Sequence, residues 1–314
     1  MNKRSEFQNP KPKIRTVFFC MACVIIACSS PIAAADNGTS DKLTVYVVNY
    51  PLKYFAERIA GDHARVVFPA PSEGDPAYWM PDAVTIAAYQ KADLILRNGA
   101  NYAKWVSKVS LPRSKMVDTS AKFKDRLITA EEVVTHSHGA AGAHAHESLA
   151  FTTWLDFDLA AKQAGVVMAA LSRKKPAAKD FFKKNYTALE NDLLAIDDEM
   201  KRIAAKNLLS PLVASHPVYD YLSRRYGLNM KSVHWEPDEF PSAAQWSELR
   251  AMLKKHPAKW MIWEQEPMKA SAARLKAMGV DSLVFDPCGN IPDQGDFLSV
   301  MRRNGKNLKP AFQQ

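Results

Sequence analysis

The residues with the clearest chemistry in this sequence are histidines. Four of the eight histidines lie in one short stretch rich in glycine and alanine, as the pairs His136 with His138 and His144 with His146. Neutral imidazole binds zinc, copper and nickel alike, so this stretch predicts affinity for a transition metal without fixing which one. The surrounding glycines and alanines predict that the four imidazoles sit on a flexible loop, 136–146.

A second set of candidate ligands follows apolar runs in the second half of the chain. His216, Glu264 and Asp286 each come directly after a run that predicts a β-strand. Imidazole and carboxylate are both zinc ligands, so we expect His216 and Asp286 to bind an ion and Glu264 to orient His216. Structural roles stay open: His216 as a satisfied structural histidine, and Asp286 as a turn cap or ion-pair partner.

Other reactive or polarisable side chains are expected to have structural roles. We predict that Cys288 is a buried small hydrophobe and that the run 78–80 (Tyr-Trp-Met) packs the wall of a cleft. His63 and His256 stand beside turn residues and are predicted at the surface. Nothing in the sequence decides whether His234 faces a cleft.

The spacing of apolar residues predicts two α/β halves. Short β-branched runs alternate with helical patterns, which is typical of βαβ units around a parallel sheet. The predicted strands are 43–48, 64–68, 92–97, 212–215, 230–234, 260–263 and 282–285. The predicted helices are 51–60, 81–91, 154–171, 176–206, 218–226, 242–255, 268–278 and 296–308.

The predicted fold is α/β, with two similar lobes built on parallel sheets and one long, rigid connector helix between them. Ligands of open α/β sheets bind beyond the carboxyl ends of the strands, so we expect a ligand cleft between the lobes. The predicted divisions are a signal segment at 1–35, an N-terminal lobe at 36–172 that includes the loop 136–146, a connector helix at 173–207 and a C-terminal lobe at 208–314.

The N-terminus is typical of an exported chain. A basic stretch ending at Lys13 and Arg15 precedes the apolar run 17–27, which is too short to cross a bilayer but has the length of a signal-peptide core. We therefore expect a periplasmic protein. Two processing routes stay open: cleavage after the small residues 33–35, or acylation of Cys28 to give a membrane-anchored lipoprotein.

Composition excludes several classes of protein. The 314 residues are 47% hydrophobic and 10% aromatic, so disorder is excluded for the chain as a whole. The formal charge is +9, but residues 1–35 hold five of the 42 basic residues and one of the 33 acidic ones. The remainder carries only +5 without a basic block, so we expect no nucleic-acid partner.

Short motifs in a fixed order then point to a family. They are Tyr50-Pro51-Leu52, Gly74-Asp75-Pro76, Asn98-Gly99-Ala100, Trp154-Leu155-Asp156, Ser215-His216-Pro217, Phe285-Asp286-Pro287 and Gly295-Asp296-Phe297-Leu298. Over about residues 43–311 the chain resembles the periplasmic zinc and manganese solute-binding proteins of ABC transporters (cluster A-I type). The resemblance implies a metal ion between two α/β lobes, a histidine-rich loop where 136–146 stands, and an ABC permease with its ATPase as partners.

Two positions depart from the pattern of that family. Its first and second metal-binding histidines fall at Ala77 and Thr152, while the third and fourth ligand positions hold His216 and Asp286. A methyl group cannot bind zinc, and a threonine hydroxyl is a poor ligand beside imidazole. We expect the loop histidines to fill the two vacancies directly; the alternative is a loop that captures ions and passes them inward.

The sequence as a whole predicts capture of a divalent transition metal outside the cytoplasmic membrane for delivery to an ABC permease. Zinc is expected first, with manganese or another divalent transition metal as alternatives, bound by a monomer without catalysis. Because metal binding displaces protons from imidazole, affinity should fall below about pH 6. Other readings are a metal buffer or chaperone, a receptor for another small solute or a metal complex, and a zinc hydrolase; His-Glu-x-x-His and Gly-x-Ser-x-Gly motifs are absent from the sequence.

Overall fold

The computed structural model describes residues 42–129 and 150–313. The predicted signal segment, Cys28 and the four loop histidines lie outside the described residues, so the fold does not test what was predicted for them.

The first lobe is built on a sheet of four parallel strands in the order β2-β1-β3-β4. The strands are β1 (Leu43–Val47), β2 (Ala64–Val67), β3 (Leu94–Arg97) and β4 (Met116–Asp118), and the helices that connect them are α1 (Tyr50–Ala60) and α2 (Ala83–Lys91). Asn49 starts α1 because its side chain accepts a hydrogen bond from the backbone N–H of Leu52, and Pro51 in the first turn favours helical geometry. Asp82 caps α2 in the same way, through the N–H of Thr85.

Two consecutive helices follow the first sheet, α3 (Phe157–Lys174) and α4 (Lys179–Ala204). The predicted connector is α4, a helix of 26 residues preceded by one 3₁₀ turn at Pro176–Ala178. Its apolar stripe, which includes Leu189, Ile196 and Met200, is buried. Because α4 packs against α1 and α3 of the first half and against α5 (Asp220–Tyr226) and α8 (Phe297–Leu308) of the second, it links the two lobes.

The second lobe repeats the strand order of the first, as β6-β5-β7-β8, again with all strands parallel. The strands are β5 (Pro211–Ala214), β6 (Asn229–Ser232), β7 (Trp260–Trp263) and β8 (Asp281–Val284); the helices are α5 (Asp220–Tyr226), α6 (Ala243–Lys255), α7 (Lys269–Ala277) and α8 (Phe297–Leu308). The prediction of two similar α/β lobes with parallel sheets is confirmed.

The main hydrophobic core of the described residues runs through both lobes. The same buried cluster contains Val45 and Leu96 from the first sheet, Leu193 from α4, and Leu212 and Phe285 from the second lobe. A smaller cluster around Trp246 and Trp263 lies within the second lobe. Since close-packed interiors resist deformation, the strand ends of the two lobes are held in fixed relative positions.

Some sequence predictions about local environment were wrong. His256 is buried, not at the surface, because the chain turns under β5 after α6 and the Nε2 atom of His256 comes within 2.8 Å of the Leu212 carbonyl oxygen. His63 is half-buried, with its ring against Phe181 and Phe182.

In the part of the chain that the structure describes, no helix combines the length and apolar character that crossing a membrane requires.

Candidate metal site

The strand order of the second lobe brings His216 and Glu264 together. The chain leaves β5 toward β6 on one side, and β7 lies on the other side of β5, so the carboxyl ends of β5 and β7 form a topological switch point. His216 follows β5 and Glu264 follows β7. Their side chains meet there, with 3.5 Å between Nδ1 of His216 and Oε1 of Glu264.

The segment after β6 adds two ionisable side chains to this edge of the sheet. Oε1 of Glu236 lies 4.0 Å from Nε2 of His216, and the ring of His234 stands perpendicular to that of His216 at 5.7 Å between centroids. The segment is held in place because the N–H of Trp235 donates to the Ser215 carbonyl at 2.7 Å. Sequence reasoning did not propose Glu236; the signal for it was its place after a predicted strand.

Negative charge is concentrated around His216. Burial and, after it, the neighbouring charges of Asp75, Glu236 and Asp286 together raise the pKa of Glu264 to about 8. Asp75 comes from the first lobe, so carboxylates of both lobes act on the same group. A cation at this edge would relieve their mutual repulsion and favour the ionised form of Glu264.

Asp286 has a structural contact that its position after β8 did not reveal. One carboxylate oxygen accepts a hydrogen bond from the N–H of Cys288 at 2.6 Å. The backbone N–H of Asp286 donates to Oδ1 of Asn304, and the side-chain N–H of Asn304 donates to the Asp286 carbonyl. Burial raises the pKa of Asp286 and of the Cys288 thiol. Cys288 is buried, as predicted. Asp286 therefore caps a turn with one oxygen, whatever its second role.

The corresponding edge of the first lobe is closed by neutral side chains. Asn49 and Asn98 follow β1 and β3, and the side-chain N–H of Asn49 donates to Oδ1 of Asn98 at 3.2 Å. Gln163 donates to the same Oδ1 at 3.1 Å and to the Thr119 hydroxyl at 2.9 Å. These buried amides satisfy one another, so the switch point of the first lobe is packed rather than open to an ion.

Ala77 and Thr152 both have structural contacts. Ala77 is buried in the core, and its N–H donates to Oδ1 of Asp75 at 2.8 Å. The hydroxyl of Thr152 donates to the Val218 carbonyl of the second lobe at 2.6 Å. Neither side chain supplies the imidazole that the family pattern has at these positions.

One asparagine connects the loop before Asp75 to the second lobe. The side-chain N–H groups of Asn290 donate to the carbonyl oxygens of Pro71 at 2.9 Å and of Ser72 and Gly74 at 3.2 Å. Because the loop that ends at Asp75 is anchored to the second lobe, Asp75 is held close enough for its charge to act on Glu264.

The aromatic run beside this loop agrees with its prediction only in part. Tyr78 and Met80 are more than half exposed, but the Tyr78 ring packs edge-on against Phe151 at 6.2 Å. Trp79 is packed, with its ring edge-on to Trp105 at 6.4 Å.

Within residues 42–129 and 150–313, no three His, Cys, Asp or Glu side chains already converge closely enough to hold an ion. The described structure brings His216 and Glu264 into contact and places the charge of Asp286 within reach of Glu264. It does not address the four loop histidines.

Two parallel-sheet lobes, joined by a long helix and carrying ionisable groups at strand ends, define a two-lobed solute-binding protein. The model of the family described as "ZnuA: Zinc-uptake complex component A periplasmic" matches residues 45–311. The chain belongs to this family.

Relatives and solved structures agree with this assignment. The chain is 29% identical over 93% of its length to the zinc-binding lipoprotein AdcA of Streptococcus pneumoniae, and spans only 59% of that relative. It is 29% identical to the high-affinity zinc uptake system protein ZnuA of Bacillus subtilis, covering 92% of this chain and 96% of the relative. The crystal structure of Zn(II)-bound AdcA from S. pneumoniae is similar over 87% of this chain and 58% of that one, with a TM-score of 0.73 and 26% identity.

Proposed function

We propose that this protein captures zinc outside the cytoplasmic membrane and delivers it to an ABC permease and its ATPase. The observation that carries the proposal is the contact of His216 with Glu264 at the switch point of the second lobe, in a chain whose family is one of zinc-uptake components. Imidazole and carboxylate are both donors that zinc takes in proteins, beside thiolate. We also propose that the protein is exported to the periplasm and is a monomer. The alternative to a free periplasmic protein is one with a lipid anchor at Cys28.

In this proposal the protein binds the ion and catalyses no reaction. His216 and Asp286 bind the ion, and Glu264 fixes the orientation of the His216 ring by accepting from Nδ1. The main core, which both lobes share, keeps these groups in place, so zinc is selected by geometry and donor type. Since the ion displaces protons from imidazole, affinity falls below about pH 6.

The loop histidines His136, His138, His144 and His146 complete the ligand set in this proposal. The chain on either side of them is anchored to one point: the N–H of Ala150 donates to the Ile128 carbonyl at 3.0 Å. The Tyr221 hydroxyl contacts the same pair, accepting from the Ile128 N–H and donating to the Ala150 carbonyl. A deletion of 136–146 therefore leaves these anchors in place. The same proposal divides the chain into an N-terminal lobe at 36–172, a connector helix at 173–207 and a C-terminal lobe at 208–314.

Zinc titration of the mature protein, by calorimetry with elemental analysis, tests the function. We expect one tightly bound ion in the parent, a loss of affinity of about tenfold or more in His216→Ala, and no change in His63→Ala, which removes an imidazole outside the site. Deletion of 136–146 should also weaken binding. A parent protein that binds no zinc overturns the function; a deletion variant that binds as tightly as the parent overturns only the role of the loop.

A further inference from the structure

The second lobe has a lysine-rich end opposite the candidate metal site. Because all four strands are parallel, their amino ends lie at one edge of the sheet, and the helices that lead into them end there. The Ser210 hydroxyl donates to the Ala311 carbonyl at 3.0 Å, so the chain after α8 lies at this edge too. We call this surface the basic end, after its exposed lysines: Lys206, Lys254, Lys255, Lys259, Lys276 and Lys306.

The nearby carboxylates leave the lysines of the basic end largely uncompensated. Three of these carboxylates are paired with other cations: Asp197 with Arg225, Asp198 with Lys201 and Glu199 with Lys309. Among the described residues, none of the six lysines forms an ion pair, and Asp281 at the start of β8 is left to offset them. The basic end therefore has an excess of positive charge.

Helix dipoles account for part of this pattern. The negative end of the dipole stabilises lysine in the last turn of a helix, which applies to the lysines of α6, α7 and α8. Lys259 lies outside the helices, directly before β7. The dipole also gives no reason for exposed apolar side chains at the same end, and two are present there.

These two apolar side chains are leucines in the loop between α4 and β5. Leu208 is 48% exposed and Leu209 is 83% exposed, the largest fraction for a large apolar side chain of the described residues. The loop backbone is fixed, since the Leu209 carbonyl accepts a hydrogen bond from the Asn229 side chain at 3.2 Å. The fold thus holds an apolar side chain in water close to lysine, where removing it from water would release free energy.

Leucine beside lysine is typical of proteins that bind an anionic membrane surface. The ammonium groups are attracted to the headgroups, and the apolar side chain enters the boundary between headgroups and acyl chains. An acidic protein fits less well for two reasons. Leu209 projects outward into solvent, and lysine lacks the planar fork with which arginine recognises individual carboxylates.

We propose that the basic end, together with Leu208 and Leu209, docks on the anionic surface of a lipid membrane. The candidate site at His216 and Glu264 lies at the opposite edge of the sheet, so docking leaves it clear of the lipid. This inference goes beyond the proposed function and does not depend on zinc.

Vesicle binding by the mature protein, from residue 36 onward, tests the proposal. The vesicles contain equal parts of phosphatidylglycerol and phosphatidylcholine, and vesicles of phosphatidylcholine alone are the neutral comparison. We expect cosedimentation with the anionic vesicles and not with the neutral ones. Binding should be lost at about 1 M salt, where the Debye length is about 3 Å.

Charge reversal locates the surface that binds. Lys254→Glu combined with Lys255→Glu should weaken binding to the anionic vesicles about tenfold or more, because each lysine near such a surface contributes about fivefold. The matched control is Lys122→Glu combined with Lys124→Glu, which reverses two exposed lysines after β4 of the first lobe. The control should bind nearly as the parent does.

A fluorescent probe at position 209 distinguishes a lipid surface from an acidic protein. From residue 36 onward the sequence has Cys288 as its only cysteine, and Cys288 is buried, so Leu209→Cys can be labelled selectively with an environment-sensitive dye. We expect its emission to shift to the blue on anionic vesicles. Val84→Cys is the control, because Val84 is 78% exposed on α2 of the first lobe and its label should not shift.

Three results would overturn the proposal. Equal binding to anionic and neutral vesicles would remove the role of the lysines, and equal weakening by the control pair would show an effect of general charge. Binding to soluble polyglutamate, with no shift of the probe at 209 on vesicles, would assign the basic end to an acidic protein instead. A protein that binds the anionic vesicles as expected but binds no zinc would support this inference and overturn only the proposed function.

Discussion

The Thr152 hydroxyl joins the segment before α3 to the segment before α5. It donates to the Val218 carbonyl at 2.6 Å, and both residues belong to parts of the chain that meet between the lobes. A hydroxyl has one proton to donate, and here a backbone carbonyl accepts it, which gives Thr152 a structural role between the lobes. Since a neutral hydroxyl is a poor zinc ligand beside imidazole, we interpret Thr152 as a structural contact and not as a metal ligand.

Thr152→Val tests this interpretation. Valine keeps the shape of threonine but removes the donor, so the free energy of unfolding should fall by about 1–2 kcal/mol while zinc affinity stays unchanged. Urea denaturation and zinc titration measure the two quantities. Ser107→Ala is the control, because it removes an exposed hydroxyl bonded to the Lys104 carbonyl and should cost less than about 0.5 kcal/mol. Loss of zinc affinity in Thr152→Val would show that the hydroxyl is a ligand after all.

At the scale of elements, α4 is joined to α5 by one buried carboxylate. Asp197 accepts hydrogen bonds from Nε of Arg225 at 2.9 Å and from the Tyr226 hydroxyl at 2.8 Å, and Lys201 lies 2.7 Å away. Although burial opposes ionisation, the hydrogen bonds from Arg225, Lys201 and Tyr226 lower the pKa of Asp197 below its ordinary value. The connector helix is thereby tied to the second lobe by charge as well as by apolar packing.

Asp197→Ala should lower the free energy of unfolding by about 3–5 kcal/mol, because it leaves the half-buried guanidinium of Arg225 without its main partner. The neighbouring Asp198 provides the control: its side chain is 70% exposed and contacts only Lys201 among the pairs described, so Asp198→Ala should change stability by less than about 0.5 kcal/mol. Midpoints of urea unfolding compare the two. Equal effects at both positions would contradict a specific role for the buried carboxylate.

The elements themselves were predictable because their patterns are local. Predicted and observed bounds agree within about two or three residues for the strands and for most helices. The residues that set these bounds are close in sequence: β-branched runs, caps such as Ser242 and terminal glycines such as Gly227. The exception is β4, which was not predicted. It has only three residues, and its strand conformation is set by pairing with β3.

The site was less predictable than the fold. His216 and Glu264 were predicted as site residues because each follows a strong strand pattern, and the structure brings their side chains into contact. Glu236 was not predicted although it follows a predicted strand, because its approach to His216 depends on the order of the strands in the sheet. His256 was misplaced for the same reason, since its partner Leu212 is distant in sequence.

For the molecule as a whole, direct contacts between the lobes supplement the connector helix. The Tyr54 hydroxyl of α1 lies 3.2 Å from Oδ2 of Asp296, which caps α8, and Phe55 packs edge-on against Phe297 at 5.4 Å. With a shared core and these contacts, a large opening of the lobes would expose buried apolar surface. We therefore expect ion binding to move loops and side chains at the strand ends and to leave the lobes in place.

Asn290→Ala tests whether a loop contact between the lobes positions the site. Losing the three hydrogen bonds to the carbonyls of residues 71–74 should speed amide exchange in 71–80. It should also weaken zinc binding several-fold, because Asp75 is no longer held where its charge acts on Glu264. Exchange in α4 should not change. Asn307→Ala is the matched control: Asn307 donates to the Val284 carbonyl within the second lobe, so its loss should destabilise that lobe without affecting 71–80 or zinc. Hydrogen exchange by mass spectrometry with zinc titration distinguishes the two variants. Faster exchange in 71–80 with unchanged zinc affinity would show that this loop does not contribute to the site.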